Sequence, residues 1–220
     1  MQNRAIVYID GLNFYYGVVK NTPYKWLNFE SLFSKVIPQS FKVIKTKYFT
    51  SIVKSFPTDP QAPYRQKKFL EALNHTLNNF EIFYGSFSVN IKERYLETPI
   101  IDSSGNTLIK VKIINPEEKG SDVCLAVHLV NDAWLDLFDW AVVVSNDSDL
   151  AEALKLIKKH RKKILLIPTV SEKGENPLKK PAIKLYQYVD KIKYIEESYL
   201  RESQLPDVIP QTNIRKPPGW

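Results

Sequence analysis

The stretch from residue 140 to residue 150 constrains the fold more than any other part of the chain. A short β-branched apolar run, 142–144, has the character of a strand buried on both faces. Polar residues 145–149 end the run, and apolar residues at helical spacing follow from Leu150. This pattern predicts half of a βα unit. Ligands in open α/β sheets bind beyond the carboxyl ends of such strands, so we expect chemistry at Asp147 and Asp149.

A similar transition occurs near the N-terminus. Residues 5–9 are predicted to form a buried strand that is followed at once by Asp10, Gly11 and Asn13. Gly11 is expected to permit a tight turn, which places Asp10 at the tip of the strand and Asn13 just beyond it.

The rest of the chain alternates between strand and helix patterns. Further strands are predicted at 43–51, 80–87, 163–167 and 193–195, and helices at 29–36, 64–77, 121–137, 150–160 and 181–189. In the helix at 121–137, we expect Val123, Ala126, Val127 and Val130 to face the core. The alternation predicts an α/β fold with a mainly parallel sheet and helices on both faces.

One segment departs from this alternation. Residues 91–101 and 108–114 flank a strong turn signal at 102–106, which predicts a β-hairpin inserted at the edge of the domain over about 91–114. We expect one domain over residues 1–205. Residues 206–220 are rich in proline and lack periodicity, which predicts a loose C-terminal tail.

Composition limits the partners and the compartment. The net charge of +7 and the pI near 9.2 favour an anionic partner such as nucleic acid, although solubility alone also accounts for them. The single cysteine, Cys124, excludes an internal disulfide and fits a cytoplasmic location. The N-terminus has no signal-peptide pattern, and no apolar run approaches the roughly 20 residues of a membrane helix.

Carboxylates stand at three comparable places in the predicted fold. Asp10 ends one strand, Asp147 and Asp149 end another, and Asp122 lies at a helix start. If the two strands are neighbours, these groups converge, and their repulsion would favour a bound cation. Carboxylate oxygens with waters suit Mg²⁺ or Mn²⁺, which can activate water for phosphodiester hydrolysis. Each residue also has an ordinary explanation as a helix cap or turn residue.

Other chemistries have little support. The three histidines, His75, His128 and His160, do not have zinc-site spacing. Cys124 lies on an apolar helix stripe, which favours packing over nucleophilic chemistry. No glycine-rich phosphate loop follows the first strand, and residues 145–149 lack the later Gly and Glu of an EF-hand.

Three motifs, in this order, make the chain resemble the NYN family within the PIN-like nuclease superfamily. They are Tyr-Ile-Asp-Gly-Leu-Asn at 8–13, Glu-Lys-Gly-Ser-Asp-Val at 118–123, and Val-Ser-Asn-Asp-Ser-Asp-Leu at 144–150. The resemblance implies a three-layer α/β/α fold, a site for Mg²⁺ or Mn²⁺, and cleavage of RNA in many relatives.

The resemblance also assigns roles to single residues. It implies that Asp10, Asp122 and Asp147 hold the metal directly or through water, with Asp149 as a further acidic catalytic candidate. Asn13 would position a water or a phosphate oxygen. Lys119 would either meet a phosphate or be a solvated surface lysine, and Ser145 would hydrogen-bond the neighbouring loop. Asn146 stands where many relatives have glycine, which suggests a left-handed backbone.

The densest basic stretch gives the expected RNA-binding surface. Its members and a later lysine are the candidates for backbone contacts: Lys158, Lys159, Arg161, Lys162 and Lys180. Our first hypothesis is a metal-dependent endoribonuclease. The alternatives are a catalytically inactive RNA-binding or interaction module and a small-molecule phosphohydrolase. The apolar hairpin also suggests a homodimer.

Overall fold

A computed structural model of the chain describes residues 3–170 and 182–220. In chain order the elements are β1 (Asn3–Asp10), α1 (Gly11–Phe14), a π-helical turn (Tyr15–Val19), α2 (Phe29–Val36), β2 (Phe41–Thr50), α3 (Ala62–Thr76), β3 (Phe80–Tyr84), β4 (Ser86–Ile101), β5 (Thr107–Lys119), α4 (Ser121–Trp134), β6 (Trp140–Val144), a 3₁₀ turn (Ser148–Leu150), α5 (Ala151–Lys159), β7 (Lys163–Ile167), α6 (Ile183–Tyr186), β8 (Lys191–Ile192) and α7 (Glu197–Glu202).

The central sheet has the order β3-β2-β1-β6-β7-β8, and every neighbouring pair is parallel. β1 and β6 lie side by side, with Ala5 opposite Trp140 and Ile9 opposite Val144. The condition under which the candidate carboxylates converge, that their two strands are neighbours, is therefore met. Together with the flanking helices, the sheet forms a three-layer α/β/α fold, as predicted.

The central strands are buried on both faces because their side chains alternate between two apolar layers. Val7 and Ile9 of β1 pack in the layer that contains α2 and α3. Ile6 and Tyr8 point the other way and pack in the layer that contains α4 and α5. This double burial explains why the strands appear in the sequence as nearly continuous apolar runs.

Helix α4 faces the core with a different stripe from the predicted one. Val123 and Val127 are 62% and 60% exposed, whereas Leu125 and Leu129 are completely buried. The helix has apolar residues on several sides, so periodicity alone did not determine which side packs. The larger leucines fill the space against the sheet, and the expectation for Val123 and Val127 was wrong.

The inserted hairpin is longer than predicted. β4 and β5 pair antiparallel from Ser86 opposite Lys119 to Ile101 opposite Thr107, and they form a separate two-stranded sheet. The turn at 102–106 is confirmed, since Asp102 N donates to Asn106 O at 3.0 Å. The strand expected over 80–87 is two elements, β3 and the start of β4, which are separated at Gly85.

The C-terminal segment packs on the domain, so the expectation of a loose tail was wrong. Ile209 and Ile214 are 3% and 7% exposed and belong to the core layer of α2 and α3. The Trp220 ring lies 6.4 Å from that of Trp26, and Trp26 Nε1 donates to Pro206 O at 2.9 Å. The segment lacks periodicity because individual apolar anchors, rather than a regular element, attach it.

Three smaller points concern the C-terminal half and the membrane. The last strand is Lys191–Ile192, so the strand expected at 193–195 was wrong. The helix expected over 181–189 is the single turn Ile183–Tyr186, and Pro181 lies outside the described residues. Within the described ranges, no helix combines the length and the apolar character needed to cross a membrane.

Candidate active site

The acidic residues of β1 and β6 meet at the carboxyl edge of the sheet. Asp10 is the last residue of β1, and Asp147 follows the end of β6 by three residues. Because β1 and β6 are parallel neighbours, both strands deliver their polar ends to the same edge. The edge therefore presents carboxylates from two distant parts of the sequence.

Asp10 is a buried carboxylate, with 7% of its surface exposed. Its Oδ1 accepts a hydrogen bond from Asn13 N at 3.0 Å, and its Oδ2 accepts one from Ser145 Oγ at 3.1 Å. Burial raises the pKa of Asp10 to about 6; the two hydrogen bonds oppose this rise, and the negative charges of Asp147 and Glu118 add to it. A carboxylate held in this way is poised to bind a cation or a proton.

Glycine is required at position 11 because the backbone there lies too close to β2 for a side chain, and not because a tight turn needs a positive φ. A Cβ at this position would lie 2.5 Å from Cζ of Tyr48 and 2.8 Å from the backbone O of Phe49. Gly11 is absent from the positive-φ residues of the described chain. Glycine thus lets the first turn of α1 lie directly against the end of β2, and Asp10 caps that turn.

Polar side chains around Asp10 join three loops. Ser145 Oγ donates to Asp10 and accepts from Asp147 N at 3.1 Å. Asn13 Oδ1 accepts from Asn146 N at 3.0 Å and from the hydroxyl of Thr169, which follows β7. Ser145 thus links the end of β1 to the loop that follows β6. Thr169 had no distinguishing sequence signal, because its position depends on the register of β7.

Asn146 does not have the left-handed backbone expected for it. Among the described residues, the non-glycine positions with positive φ do not include Asn146. Its backbone N donates to Asn13, and its side-chain Oδ1 accepts from Ala182 N at 2.9 Å. Asparagine at this position therefore ties the loop after β6 to the start of α6, which glycine could not do.

Glu118 is an acidic residue of the site that the sequence analysis did not select. Its Oε1 accepts from Ser51 Oγ at 2.8 Å and from Ser121 N at 3.0 Å, and its charge contributes to the raised pKa of Asp10. Asp122 lies in the first turn of α4 and is half-buried. In the described chain, no hydrogen bond or ion pair joins Asp122 to Asp10. Its role as a ligand remains a prediction.

Asp147 and Asp149 differ in surroundings. Asp147 is half-buried, and its Oδ1 accepts from Asp149 N at 2.9 Å, which caps the 3₁₀ turn before α5. Asp149 is exposed at the start of that turn. Asp147 is thus the second carboxylate close to Asp10, and the catalytic role of Asp149 remains a prediction.

The donor set suits a cation that retains much of its water. Over residues 3–170 and 182–220, no three Asp, Glu, His or Cys side chains are arranged to hold a metal ion together. Asp10, Asp122 and Asp147 therefore do not form a complete cage. Mg²⁺ in proteins usually keeps several waters and takes one or two carboxylates plus substrate phosphates. Asp10 and Asp147 fit that coordination, because they offer hard oxygen donors and neither forms an ion pair with a described lysine or arginine.

The expected RNA-binding lysines divide into two groups. Lys119 ends β5 beside Glu118, and its side chain is 66% exposed, 3.7 Å from Glu117. The run at 158–162 lies elsewhere. Helix α5 starts after β6 at the acidic edge and rises about 13 Å over its nine residues, which brings its end to the amino edge of the sheet.

Contacts within the run confirm this location. Lys163, which begins β7, is opposite Trp140, the first residue of β6. Lys162 is 7% exposed and forms an ion pair with Asp136, so it is poorly placed to meet a phosphate. Lys158 pairs with Asp190 at 2.7 Å. Lys159 and Arg161 are exposed at the same end, and Lys180 lies outside the described residues. This run and Asp10 are therefore at opposite edges of the sheet.

A single protein-family model matches the part of the chain that contains both the central sheet and the three motifs. The model of the NYN domain matches residues 4–188, which include all three motifs and the acidic edge. The chain belongs to the NYN family. This family lies within the PIN-like nuclease superfamily, whose nucleases generally use divalent metals and act on RNA.

Two known proteins resemble this NYN protein, one in sequence and one in fold. The 6-hydroxy-3-succinoylpyridine 3-monooxygenase HspA of Pseudomonas putida is 32% identical, with 99% of this chain and 75% of HspA aligned. A crystal structure of a Vibrio parahaemolyticus protein of unknown function matches with a TM-score of 0.51 at 15% identity, covering 93% of this chain and 97% of that one. The second likeness concerns the fold alone.

Proposed function

We propose that this NYN protein is a divalent-cation-dependent endoribonuclease that hydrolyses phosphodiester bonds at the carboxyl edge of β1 and β6. One observation carries the proposal: Asp10 is buried, hydrogen-bonded in place and surrounded by further negative charge. A protein does not usually bury a carboxylate beside other carboxylates without a cation or a proton to offset their repulsion. The membership of the family supports the same reaction class.

The residues at this edge would have separate roles in binding the metal and the phosphate. Asp10 and Asp147 would hold Mg²⁺ or Mn²⁺, and Ser145 fixes the spacing between them through bonds to both. A bound divalent cation would supply a Lewis acid that activates water and offsets charge on the phosphate. Asn13 uses its amide oxygen within the protein, which leaves Nδ2 to donate to a phosphate oxygen. Lys119, exposed at the end of β5 next to Glu118, would meet a phosphate on the hairpin side of the edge.

The test is cleavage of a labelled single-stranded RNA with Mn²⁺ or Mg²⁺, with and without EDTA. We expect cleavage only with the metal, and a loss of about a hundredfold or more in Asp147→Asn, because the amide cannot replace the anionic ligand. Asp147→Asn keeps the acceptor oxygen for Asp149 N, so the loop should fold. Glu71→Gln is the matched control, since it removes an exposed carboxylate in the second half of α3, where it pairs with Lys68.

Several results would count against the ribonuclease. Equal cleavage by wild type and Asp147→Asn would indicate a contaminating nuclease. RNA binding that EDTA leaves unchanged, without cleavage, would favour an RNA-binding module. Turnover of a phosphate monoester with none of RNA would favour a phosphohydrolase.

A second candidate function rests on the alignment with HspA, which extends over 99% of this chain. The name of that relative describes monooxygenation of a hydroxypyridine. Such a reaction transfers one oxygen atom from O₂ and requires a two-electron reductant to convert the other to water. The assay is the consumption of 6-hydroxy-3-succinoylpyridine with O₂ and NADH, measured against a reaction without enzyme. Substrate consumption without RNA cleavage would favour this function over the nuclease.

The oligomeric state and the location remain predictions as well. The hairpin exposes Ile91, Tyr95 and Ile101 by more than 70% each, which gives a second copy an apolar surface to cover. Mass measurement in solution tests the homodimer, and a monomer at micromolar concentration would count against it. Cell fractionation tests the cytoplasmic location.

A further inference from the structure

A cavity of about 500 Å³ lies beside the acidic edge, on the side of α3 and the C-terminal segment. Its volume is within the range of pockets that hold small ligands. Gly11 and Tyr48 form part of its wall, so it borders the turn that Asp10 caps. The basic run of α5 does not contribute to this wall.

Aromatic rings form the floor of the cavity. Phe29 contacts Phe14 and Tyr48, with ring centroids 5.3 and 5.5 Å apart, and Phe69 contacts Trp220 at 5.2 Å. Phe14, Phe29, Tyr48 and Phe69 are at most 7% exposed, and their packing against each other fixes their orientation. Above these buried rings, the aromatic side chains that the cavity can present to a ligand are partly exposed: Tyr15, Phe56, Phe87 and Trp220. They favour a flat apolar group, because stacking and edge contacts add to the burial of its surface.

The rim of the cavity is strongly cationic. Its charged residues are Lys20, Lys25, Lys54, Arg65 and one acid, Asp59. Asp59 pairs with Arg65, and Lys25 Nζ donates to the backbone O of Thr22 at 2.8 Å. In the described chain, no ion pair joins Lys25 to a carboxylate.

Lys25 and Arg65 are near enough to interact. Burial lowers the pKa of Lys25, and the positive charges of Arg65 and Lys216 lower it further. Positive charges gathered at a half-buried site without equivalent acids favour an anion there, and the guanidinium of Arg65 is suited to a carboxylate or phosphate.

We propose that this cavity binds a planar aromatic ligand that carries an anionic group, with the ring against the partly exposed aromatic side chains of the wall and the anion between Lys25 and Arg65. Two sources share this chemistry: a nucleotide, with its base and phosphate, and a small aromatic carboxylic acid. The proposal goes beyond the ribonuclease, since the ligand binds through the cavity and requires neither the metal nor cleavage.

The experiment is an equilibrium titration of the full chain in EDTA, followed by intrinsic fluorescence and by calorimetry. The probes are adenosine 5′-monophosphate and pyridine-3-carboxylate. Adenosine and pyridine-3-carboxamide are their neutral counterparts, and inorganic phosphate is an anion without a ring. We expect at least one of the two charged aromatic probes to bind at least tenfold more tightly than its neutral counterpart and than phosphate.

The pattern of binding identifies the source. Tight binding of adenosine 5′-monophosphate alone would assign the cavity to a nucleotide, and tight binding of pyridine-3-carboxylate alone would assign it to an aromatic acid. Either result supports the proposal. Equal binding of charged and neutral probes, or binding of neither charged probe up to millimolar concentration, would overturn it.

Variants test the position of the anion. Lys25→Gln and Arg65→Gln should each weaken the charged probe by about tenfold or more and leave the neutral counterpart unchanged. Lys42→Gln is the matched control, because Lys42 is exposed on β2 opposite Arg4 and lies outside the cavity. If Lys25→Gln folds poorly, Lys25→Arg replaces it in the test; this variant keeps the positive charge and should retain most of the affinity for the charged probe. Affinity that is unchanged in both Gln variants would overturn the assignment.

Discussion

Replacing Asp10 by asparagine should stabilise the metal-free protein at neutral pH. The native pKa of about 6 lies above the ordinary value of 3.8 because the carboxylate is desolvated and faces Asp147 and Glu118. The folded state therefore holds the proton more tightly than the unfolded state, and stability falls as the pH rises from about 4 through 6. The difference in pKa corresponds to about 3 kcal/mol above pH 7. Asp10→Asn removes the charge and with it this penalty.

The measurement is urea unfolding in EDTA at pH 4, 5, 6 and 7.5. We expect Asp10→Asn to be more stable than wild type by up to about 3 kcal/mol at pH 7.5, or about 6–12 °C in Tm, and nearly equal at pH 4. Glu71→Gln, which removes an exposed carboxylate of α3, should show no such dependence on pH. Adding Mn²⁺ at pH 7.5 should raise the Tm of wild type and not of Asp10→Asn. If Asp10→Asn is destabilised by the same amount at every pH, the reasoning is refuted: the hydrogen bonds of the carboxylate to Asn13 and Ser145 would then stabilise the fold more than its buried charge destabilises it.

Three further changes test other parts of the molecule. Asp132→Ala leaves Lys47 buried without its 2.6 Å partner, so we expect a loss of about 3–5 kcal/mol in urea unfolding; a loss below 1 kcal/mol would contradict this. Gly11→Ala places a Cβ against Tyr48, so RNA cleavage and binding in the cavity should fall together in the assays above; a fall in only one would separate the two sites. Removal of residues 206–220 should lower the free energy of unfolding by about 3 kcal/mol or more, since two buried isoleucines are lost; an unchanged midpoint would show that the segment is dispensable.

Local signals were sufficient to predict the edge of the sheet and its principal acids. An apolar strand that stops at a polar cluster places Asp10 and Asp147 at strand ends, and the alternation of elements predicts that these ends face the same way. The adjacency of β1 and β6 was a condition of that argument and not a prediction, because a parallel fold does not determine the strand order; the structure meets the condition. These features depend on a few consecutive residues and on a general rule of topology.

Features that depend on distant approaches could not be predicted. Glu118 belongs to the site because Ser51, at the end of β2, binds its side chain across 67 positions of the sequence. Glu118 and Asp122 occur in the same motif, one at the end of β5 and the other in the first turn of α4, so local spacing does not show which of them approaches Asp10. Similarly, Trp220 packs against Trp26 although no periodic pattern links them. Single long-range contacts of this kind leave no trace in local spacing.

The position of the basic run could have been deduced from topology. A helix that follows a parallel strand returns along the sheet, so its C-terminal lysines must lie at the opposite edge from the strand's last residue. The density of charge in 158–163 suggested a phosphate groove, but Lys162 and Lys158 are used in ion pairs with Asp136 and Asp190. Charge density therefore indicated a basic surface without indicating which edge it serves.

The corner where β1 enters α1 relates the two sites of the molecule. Asp10 caps the first turn of α1, and Gly11 presses that same turn against Tyr48, whose ring forms the floor of the cavity. Burial raises the pKa of Tyr48, and the negative charge of Asp10 adds to the rise, so the carboxylate lies close to the cavity wall. The anionic edge suits a cation, whereas the rim with Lys25 and Arg65 suits an anion. The turn that begins at Gly11 therefore separates two surfaces that favour ligands of opposite charge, and a change at this turn is expected to affect both.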